Sequence, residues 1–202
     1  RGIPGAIVFE QFPGLLSLQQ DFHRRDSRWY DFLTPEQRQE LDVAIPQTPG
    51  GTVEIYYSFA KADEKFAREL QKHLILLRRE QYIVEWYPGE AIPGQEPNEL
   101  NKQHLDTARI ILLLVSSDFL SEKGSSTQDN YEVDRAIERS KTGAIVIPIK
   151  IRQVQNWDLA PFGKLVSLPR NGKPVEEWEH TDAAFAEIAR EIRKVVDMLR
   201  GR

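Results

Sequence analysis

Glu132 lies in the stretch "DNYEVDRAIERS", residues 129–140, in which apolar residues recur at the spacing of a helix. Val133, Ala136 and Ile137 share one apolar stripe of this predicted helix, and Glu132 stands one turn before Ala136, at the edge of the stripe. A carboxylate there is either an ordinary solvated charge or a group held at the mouth of a cleft, where it can stabilise positive charge in a reaction. Because charged helix faces are usually solvated, the surrounding elements must decide between the two.

The sequence offers few other groups for catalysis or metal binding. It has no cysteine, which excludes disulfides, thiolate metal sites and a catalytic thiol. Its four histidines lack the spacing of metal ligands, so we expect no metal site and expect these residues at the surface or its boundary: His23, His73, His104 and His180. Three serines at strand ends lack the Gly-x-Ser-x-Gly turn of a nucleophile. We expect them to cap helices or to form hydrogen bonds within loops: Ser58, Ser116 and Ser117.

Composition and charge exclude several classes of partner. The chain has 202 residues, of which 40% are hydrophobic and 29% charged, as expected of a folded globular protein. A net charge of −4, without a Lys/Arg stripe interleaved with aromatic residues, argues against nucleic acid as a partner. The longest apolar run, Ile110–Val115, is far shorter than the roughly 20 residues that span a membrane. The chain starts without a methionine and uses no cysteine, so we expect a piece of a larger cytoplasmic protein.

Residues 1 to about 50 differ in composition and periodicity from the rest of the chain. They mix Pro, Gly and aromatic residues without a long period, and they end in the linker-like string "IPQTPGGT". The stretches "GLLSLQQDF" and "LTPEQRQEL" predict short helices, the second with Thr34 as N-cap and Pro35 at the first helical position. We therefore predict an N-terminal extension or linker of unknown function over residues 1–50 and a separate domain over residues 51–202.

After Gly51, strand and helix signals alternate along the chain. Runs of β-branched and aromatic residues predict strands at Thr52–Tyr57, Tyr82–Tyr87, Arg109–Ser116 and Ala144–Lys150. Helical periods lie between them, and a closing helix is predicted over residues 182–199. Unbroken apolar runs are typical of parallel strands that are covered on both faces. The pattern predicts an α/β fold, a flavodoxin-like, doubly wound sheet of five parallel strands with helices on both faces.

Ligands of such sheets bind outside the carboxyl ends of the strands, where the strand order reverses. The loop after Tyr57 lacks the glycines of a dinucleotide fingerprint, and the chain has no P-loop. The loop "WYPGEAIPGQEP" is rich in Pro and Gly, which suits either a hinged lid or a rigid connection. The polar loop "SSDFLSEKGSSTQDN" leads directly into the predicted helix of Glu132. This topology places Glu132 at the rim where ligands collect.

From Thr52 to Leu199 the chain resembles a TIR (Toll/interleukin-1 receptor) domain of the bacterial type. The strand "EIYYSF" resembles box one of the family, and "WYPGEAIPG" resembles box two with its BB loop. Further along, "ARIILLLVSSDFLSE" is similar to the third strand and the loop after it. The segment "VIPIKIRQVQNWDLAPFGKLVSLPRNGKPVEEW" is similar to the fourth strand and the region that follows. Several motifs in the same order make the resemblance specific, and residues 1–50 lie outside it.

The resemblance implies an NAD⁺ glycohydrolase, an enzyme that cleaves the nicotinamide–ribose bond of NAD⁺, with or without cyclisation. In active TIR domains a glutamate on the helix after the third strand supports this cleavage, and that position corresponds to Glu132. NAD⁺ is then the substrate, and no prosthetic group is expected. The residues expected to line the substrate site are Tyr57, Ser58, Phe59, Trp86 and Tyr131.

The resemblance also implies that the domain self-associates, with active sites completed by a neighbouring copy. The contact is expected at the BB loop, about Pro88–Glu96, whose candidate residues are Pro88, Gly89, Glu90, Ile92, Pro93 and Gly94. Such a switch suits bacterial immune or cell-death signalling by a larger parent protein.

Departures from the family pattern keep a second interpretation open. Active relatives often carry an aromatic residue where this chain has Gln128 and Pro97, and family members tend to have an acid where it has Pro88. Gln128 and Pro97 favour a non-catalytic module that serves homotypic TIR–TIR contacts. Nucleotide recognition without turnover is a third interpretation. A response regulator, which shares the fold class, is disfavoured because "YYSF" and "SSDF" do not supply its acidic pair.

Overall fold

The computed structural model describes residues 51–88, 96–123 and 131–201 of the chain. The predicted N-terminal extension, with its two short helices, lies outside these ranges. So do Gln128 and most of the predicted BB loop, from Gly89 to Gln95. The predicted domain boundary at Gly51 stays a prediction.

A parallel sheet of four strands forms the centre of the described domain, in the order β2-β1-β3-β4. The strands are β1 (Val53–Phe59), β2 (Ile83–Trp86), β3 (Ile110–Val115) and β4 (Ile145–Lys150). Every residue of β3 is buried, as its unbroken apolar run predicts. The chain runs from β1 outward to β2 and then crosses back to β3, so the strand order reverses between β1 and β3. The predicted doubly wound α/β fold is confirmed.

The sheet has four strands rather than the five predicted, as far as the described residues extend. In place of a fifth strand, Leu168 makes a single parallel bridge with Ile149. The Leu168 carbonyl accepts a hydrogen bond from the Lys150 amide at 2.8 Å, and its own amide donates to the Pro148 carbonyl at 2.9 Å. The amide of Arg170, the next one that would face β4, instead donates to Glu187 Oε1 at 2.8 Å. The ladder therefore stops after one residue, although "LVSL" has the composition of a strand.

Helices cover both faces of the sheet, as predicted. One face carries α1 (Glu64–His73), α2 (Ile75–Arg79) and α6 (Thr181–Leu199). Their apolar stripes pack against Ile55, Tyr57 and Leu112 in a cluster that we call the first core. The stripe of α1, which includes Phe66 and Leu70, has the period that the sequence shows.

The other face carries α3 (Pro97–Thr107), α4 (Ser117–Lys123) and α5 (Tyr131–Lys141). Leu105, Phe119 and Ala136 from these helices pack against the sheet in a second core, which also contains Tyr56 and Trp86. Glu132 lies in the first turn of α5, so the second-core face is the one that positions it. Within the described ranges, no helix combines the length and the apolar character needed to cross a membrane.

Truncation of Leu112 tests the central place of β3. Leu112 is fully buried in the first core, so Leu112→Ala leaves a cavity and is expected to lower the free energy of unfolding by about 3 kcal/mol. Leu76→Ala is the matched control, because Leu76 is 66% exposed and its loss should cost less than about 0.5 kcal/mol. Urea denaturation followed by far-ultraviolet circular dichroism measures both. Equal losses in the free energy of unfolding for the two variants would contradict the buried, central position of β3.

Candidate active site

The carboxyl ends of β1 and β3 form the edge at which the candidate site lies. Ser58 is the last residue but one of β1, and Glu132 is the second residue of α5. The Ser58 hydroxyl Oγ donates a hydrogen bond to Glu132 Oε2 at 2.6 Å, across 74 residues of sequence. Strand alternation turns Ser58 toward the second core, on which α5 packs. The carboxylate is thereby tied to the point where the strand order reverses, as the sequence predicts for a ligand site.

A lysine holds the other oxygen of the Glu132 carboxylate. Lys123, the last residue of α4, donates from Nζ to Glu132 Oε1 at 2.8 Å. The Glu132 side chain is only 13% exposed. Arg135, one turn further along α5, instead pairs with Asp106 and Glu138. Glu132 is therefore a fixed carboxylate at the rim rather than a solvated charge.

Ser58 and Tyr57 were both expected to line the substrate site, and they face opposite sides of the sheet. Ser58 contacts Glu132 but is itself fully buried, so it holds the carboxylate from the side of the sheet and is not exposed to a substrate. Tyr57 is fully buried in the first core, where its hydroxyl donates to Glu85 Oε1. Burial raises the pKa of the Tyr57 hydroxyl well above 10.0, and the adjacent Glu85 carboxylate raises it further. The structure does not bring Tyr57 to Glu132.

The two other aromatic candidates with described side chains pack against protein groups. Phe59 is half-buried, and its ring lies 4.8 Å from that of Tyr87 on the first-core face. Trp86 is buried in the second core, where Nε1 donates to Asn101 Oδ1 at 3.0 Å and the ring stacks on His104 at 3.7 Å. The structure assigns Trp86 to the packing of α3 on the sheet and does not bring it together with Glu132.

His104 is buried, so the expectation that it lies at the surface or its boundary is wrong. Only 7% of the residue is exposed, and Nδ1 lies 2.7 Å from Glu54 Oε1. Its apolar ring face is covered by Trp86, and its polar edge meets a carboxylate, so burial leaves it with compensating contacts. The contact between Trp86 and His104 could not be found from the sequence alone, because β2 supplies the tryptophan and α3 the histidine.

The remaining predicted residues lie partly or wholly outside the described ranges. Tyr131 is the first residue of α5 and precedes Glu132 directly. Pro88 is half-buried just after β2. Gly89, Glu90, Ile92, Pro93 and Gly94 lie outside the described residues, and the BB-loop assignment stays a prediction.

A second buried carboxylate, which the sequence analysis did not single out, lies at the same edge of the sheet. Asp63 is fully buried after β1, and it accepts a hydrogen bond from the Ser116 hydroxyl at Oδ2. Arg152 Nη2 approaches Asp63 Oδ1 at 3.1 Å. Ser116 also accepts a hydrogen bond from the Phe119 amide at 3.0 Å, which confirms that it caps a helix. The sequence does carry a signal, because Asp63 continues the stripe of Phe66 and Leu70 at helical spacing.

One group of described residues has the composition of a metal site. Glu69, His73 and Asp182 each offer a ligand atom, and these atoms lie within 4.8 Å of one another. The Glu69 carboxylate is bound by Lys72, and His73 Nε2 lies 3.8 Å from Asp182 Oδ1. The group joins α1 and α6 on the first-core side of the sheet, so it is not part of the site at Glu132.

A groove of about 340 Å³ opens beside the Lys123–Glu132 pair. It runs between α4, α5 and the segment after β4, and its walls combine apolar and polar side chains. The lining residues are Leu120, Lys123, Val133, Asp134, Gln155, Asn156, Leu159, Ala160, Pro161 and Phe162. Lys123 therefore touches both the carboxylate and the groove.

The chain is similar to a protein family and to a protein of known sequence. The family model of the TIR domain matches residues 55–188. Over 141 residues the chain is 39% identical to an uncharacterized protein, y4lF, of Sinorhizobium fredii. That alignment covers 69% of this chain and 42% of the relative, so the chain spans less than half of the relative's length.

The buried Asp63 predicts a pH dependence of stability. Burial raises the pKa of its carboxyl above 3.8, so the folded chain holds this proton more tightly than the unfolded chain. The free energy of unfolding should fall as pH rises from 3.8 through the raised pKa, by about 1.4 kcal/mol for each unit by which the pKa is raised.

Asp63→Asn removes this contribution. Urea denaturation at a series of pH values should show wild type gaining stability relative to the variant as pH is lowered through that window. Parallel pH profiles would contradict the prediction, and so would a wild type that gains as pH rises.

Proposed function

The chain belongs to the TIR-domain family, and we propose that this domain cleaves NAD⁺ at the nicotinamide–ribose bond with Glu132 as its catalytic residue. The family membership confirms the resemblance seen in the sequence. The matched relative is itself uncharacterized, so the argument for catalysis depends on the site.

The position of the Glu132 carboxylate is the observation that carries the proposal. It lies at the reversal point of the sheet, its oxygens bound by Ser58 and Lys123, and its side chain is 13% exposed. The Ser58 hydrogen bond fixes the orientation of the carboxylate before substrate binds, which favours the stabilisation of charge that develops in a transition state. Partial burial strengthens that effect, because it lowers the local dielectric while leaving a face open to substrate.

The reaction requires little from the protein beyond a fixed anion such as the Glu132 carboxylate. The bond between ribose C1′ and the nicotinamide nitrogen breaks, and its electron pair stays on the nitrogen, so the leaving group departs neutral without a general acid. Positive charge develops on the ribose, and the Glu132 carboxylate stabilises this oxocarbenium-like state. Water then adds to C1′ and loses a proton to the medium, which gives ADP-ribose. Attack by an adenine nitrogen in place of water gives a cyclic product.

Self-association completes the site in this proposal. Trp86 is buried against His104 and Tyr57 lies on the opposite face, so neither supplies an aromatic surface beside Glu132. Tyr131 precedes Glu132 directly and is the aromatic candidate from the same chain. The BB loop of a neighbouring copy would cover the sugar and exclude water. We propose that the domain acts in this way within a larger bacterial signalling protein of the cytoplasm.

Replacement of Glu132 tests catalysis directly. Glu132→Gln keeps the size of the side chain but removes its charge, so nicotinamide release from NAD⁺ should fall by about 10²- to 10³-fold. The assay uses concentrated protein with NAD⁺, and nicotinamide is quantified by chromatography.

Glu138→Gln is the matched control, since Glu138 lies on the same helix, is 62% exposed and should leave the rate unchanged. Indistinguishable traces for wild type and Glu132→Gln, with the protein also forced to oligomerise, would exclude catalysis.

The second candidate function is a non-catalytic module for homotypic assembly. The specific observation in its favour is the Lys123 contact, which neutralises the charge that catalysis requires. Gln128 and Pro97, at positions where active relatives often carry aromatic residues, point the same way. In this case the fold and the BB loop carry the function, and Glu132 serves only to join α4, α5 and β1.

The BB loop gives the two candidates a shared prediction. Pro93→Ala frees a backbone torsion, so ordering of the loop at a contact costs about 0.4–1 kcal/mol more and self-association should weaken about two- to fivefold. Sedimentation analysis over a concentration series measures this change. Glu132→Ala should leave association unchanged. Equal association of wild type and Pro93→Ala would show that the BB loop is not part of the contact.

A further inference from the structure

Lys123 masks the charge that the proposed reaction needs. Its ammonium lies 2.8 Å from Glu132 Oε1, and the two side chains are 23% and 13% exposed. A cation at this distance cancels much of the field that the carboxylate projects into the site. An anion that stabilises a cationic sugar must instead face the sugar with its charge uncompensated. The arrangement is therefore a resting state, and catalysis by Glu132 requires the ammonium to leave.

The surroundings of Lys123 offer its ammonium a second position. The same side chain lines the groove of about 340 Å³, a volume within the usual range of small-molecule sites. Leu120, Val133 and Phe162 give this groove apolar walls, and Gln155, Asn156 and the carboxylate of Asp134 add polar groups. Lys123 is the basic side chain of its lining. A lysine ammonium has three donors on a flexible four-carbon stem. It can turn from the carboxylate to an anion that enters beside it.

Three other described cations near this edge have partners of their own. Arg152 is bound to the buried Asp63 and to Asp118, and Arg135 is bound to Asp106 and Glu138. Lys150 lies over the ring of Trp157 at 4.7 Å. In the part of the chain that the structure describes, Lys123 is the basic residue in contact with Glu132.

We propose that Lys123 is a specificity-determining residue that exchanges Glu132 for the diphosphate of the dinucleotide. Before substrate enters, Lys123 neutralises Glu132. When the diphosphate enters, it takes the ammonium, and the same step uncovers the carboxylate beside the ribose. This inference rests on the proposed function for its catalytic consequence, but the exchange is a binding event that can be measured without turnover.

The exchange explains how one residue can favour dinucleotides. A nucleoside such as nicotinamide riboside carries the reacting bond but no diphosphate, so it cannot draw Lys123 away. With the lysine in place such a compound meets a neutralised carboxylate. With the lysine removed it should react as readily as its own binding allows.

Binding measurements on the full chain test the exchange. Lys123→Met should weaken the binding of ADP-ribose about tenfold in calorimetry at fixed ionic strength, with adenosine binding unchanged and with Lys123→Arg largely restoring affinity. Glu132→Gln should strengthen ADP-ribose binding, because the competitor for the ammonium has lost its charge. This gain should vanish in the Lys123→Met background, since the two residues then no longer interact.

Several outcomes of this cycle would overturn the inference. They are no detectable ADP-ribose binding by wild type, equal binding by wild type and Lys123→Met, and weaker binding by Glu132→Gln. A merely structural contact between α4 and α5 predicts that either substitution weakens binding and that the two losses do not depend on the ligand's diphosphate.

Kinetics test the consequence for specificity. Lys123→Met should lower the ratio of kcat/KM for NAD⁺ to that for nicotinamide riboside about tenfold. Lys141→Met removes the same charge from the exposed end of α5 and should leave the ratio unchanged. An unchanged ratio in Lys123→Met would overturn the inference. If wild type releases no nicotinamide from either compound, the proposed function fails, and the binding cycle alone decides the role of Lys123.

Discussion

The hydrogen bond from Ser58 to Glu132 is the contact on which the candidate site depends. Ser58 lies in β1, which pairs with β2 on one side and β3 on the other, and its register partner in β3 is Leu113. The serine is therefore fixed by the sheet, and through it the first turn of α5 is fixed as well. A loop residue in the same place would leave the carboxylate free to move. The sheet thus sets the position of the charge, and the helix only presents it.

At this edge of the sheet, a carboxylate bound by a serine and by a basic side chain occurs twice. Asp63 and Glu132 are each bound by a serine hydroxyl from a strand end and by a basic side chain, Ser116 with Arg152 and Ser58 with Lys123. The two differ in access to solvent. Asp63 is fully buried, and Arg152 meets two further acids, so that group is a permanent part of the fold. The Glu132 side chain is 13% exposed and is held by a flexible lysine, which makes it the more accessible of the two carboxylates.

Much of the fold follows from local patterns, whereas the site follows only in part. Buried strands and amphipathic helices predict the four observed strands, and the expected fifth is reduced to a single bridge at Leu168, because the Arg170 amide donates to Glu187 instead of to β4. Glu132 could be placed at the rim because loop order and sheet topology suffice for that. Tyr57 and Ser58 could have been separated too, since neighbours in a strand face opposite sides. The partners of Trp86 and Glu132 come from distant segments, and no spacing in one sequence predicts them.

The strength of the Lys123 contact decides whether one carboxylate can both join α4 to α5 and serve in catalysis. Ion pairs near a surface stabilise proteins by about 1 kcal/mol or less, because water already solvates both partners well. A deeply buried pair would resist separation, and a fully exposed one would mask nothing. At 13% and 23% exposure the pair lies between these limits, so a diphosphate that offers two negative charges can outcompete a single carboxylate. A neighbouring copy that covers the edge would exclude water, and the same exchange would then release a stronger field onto the sugar.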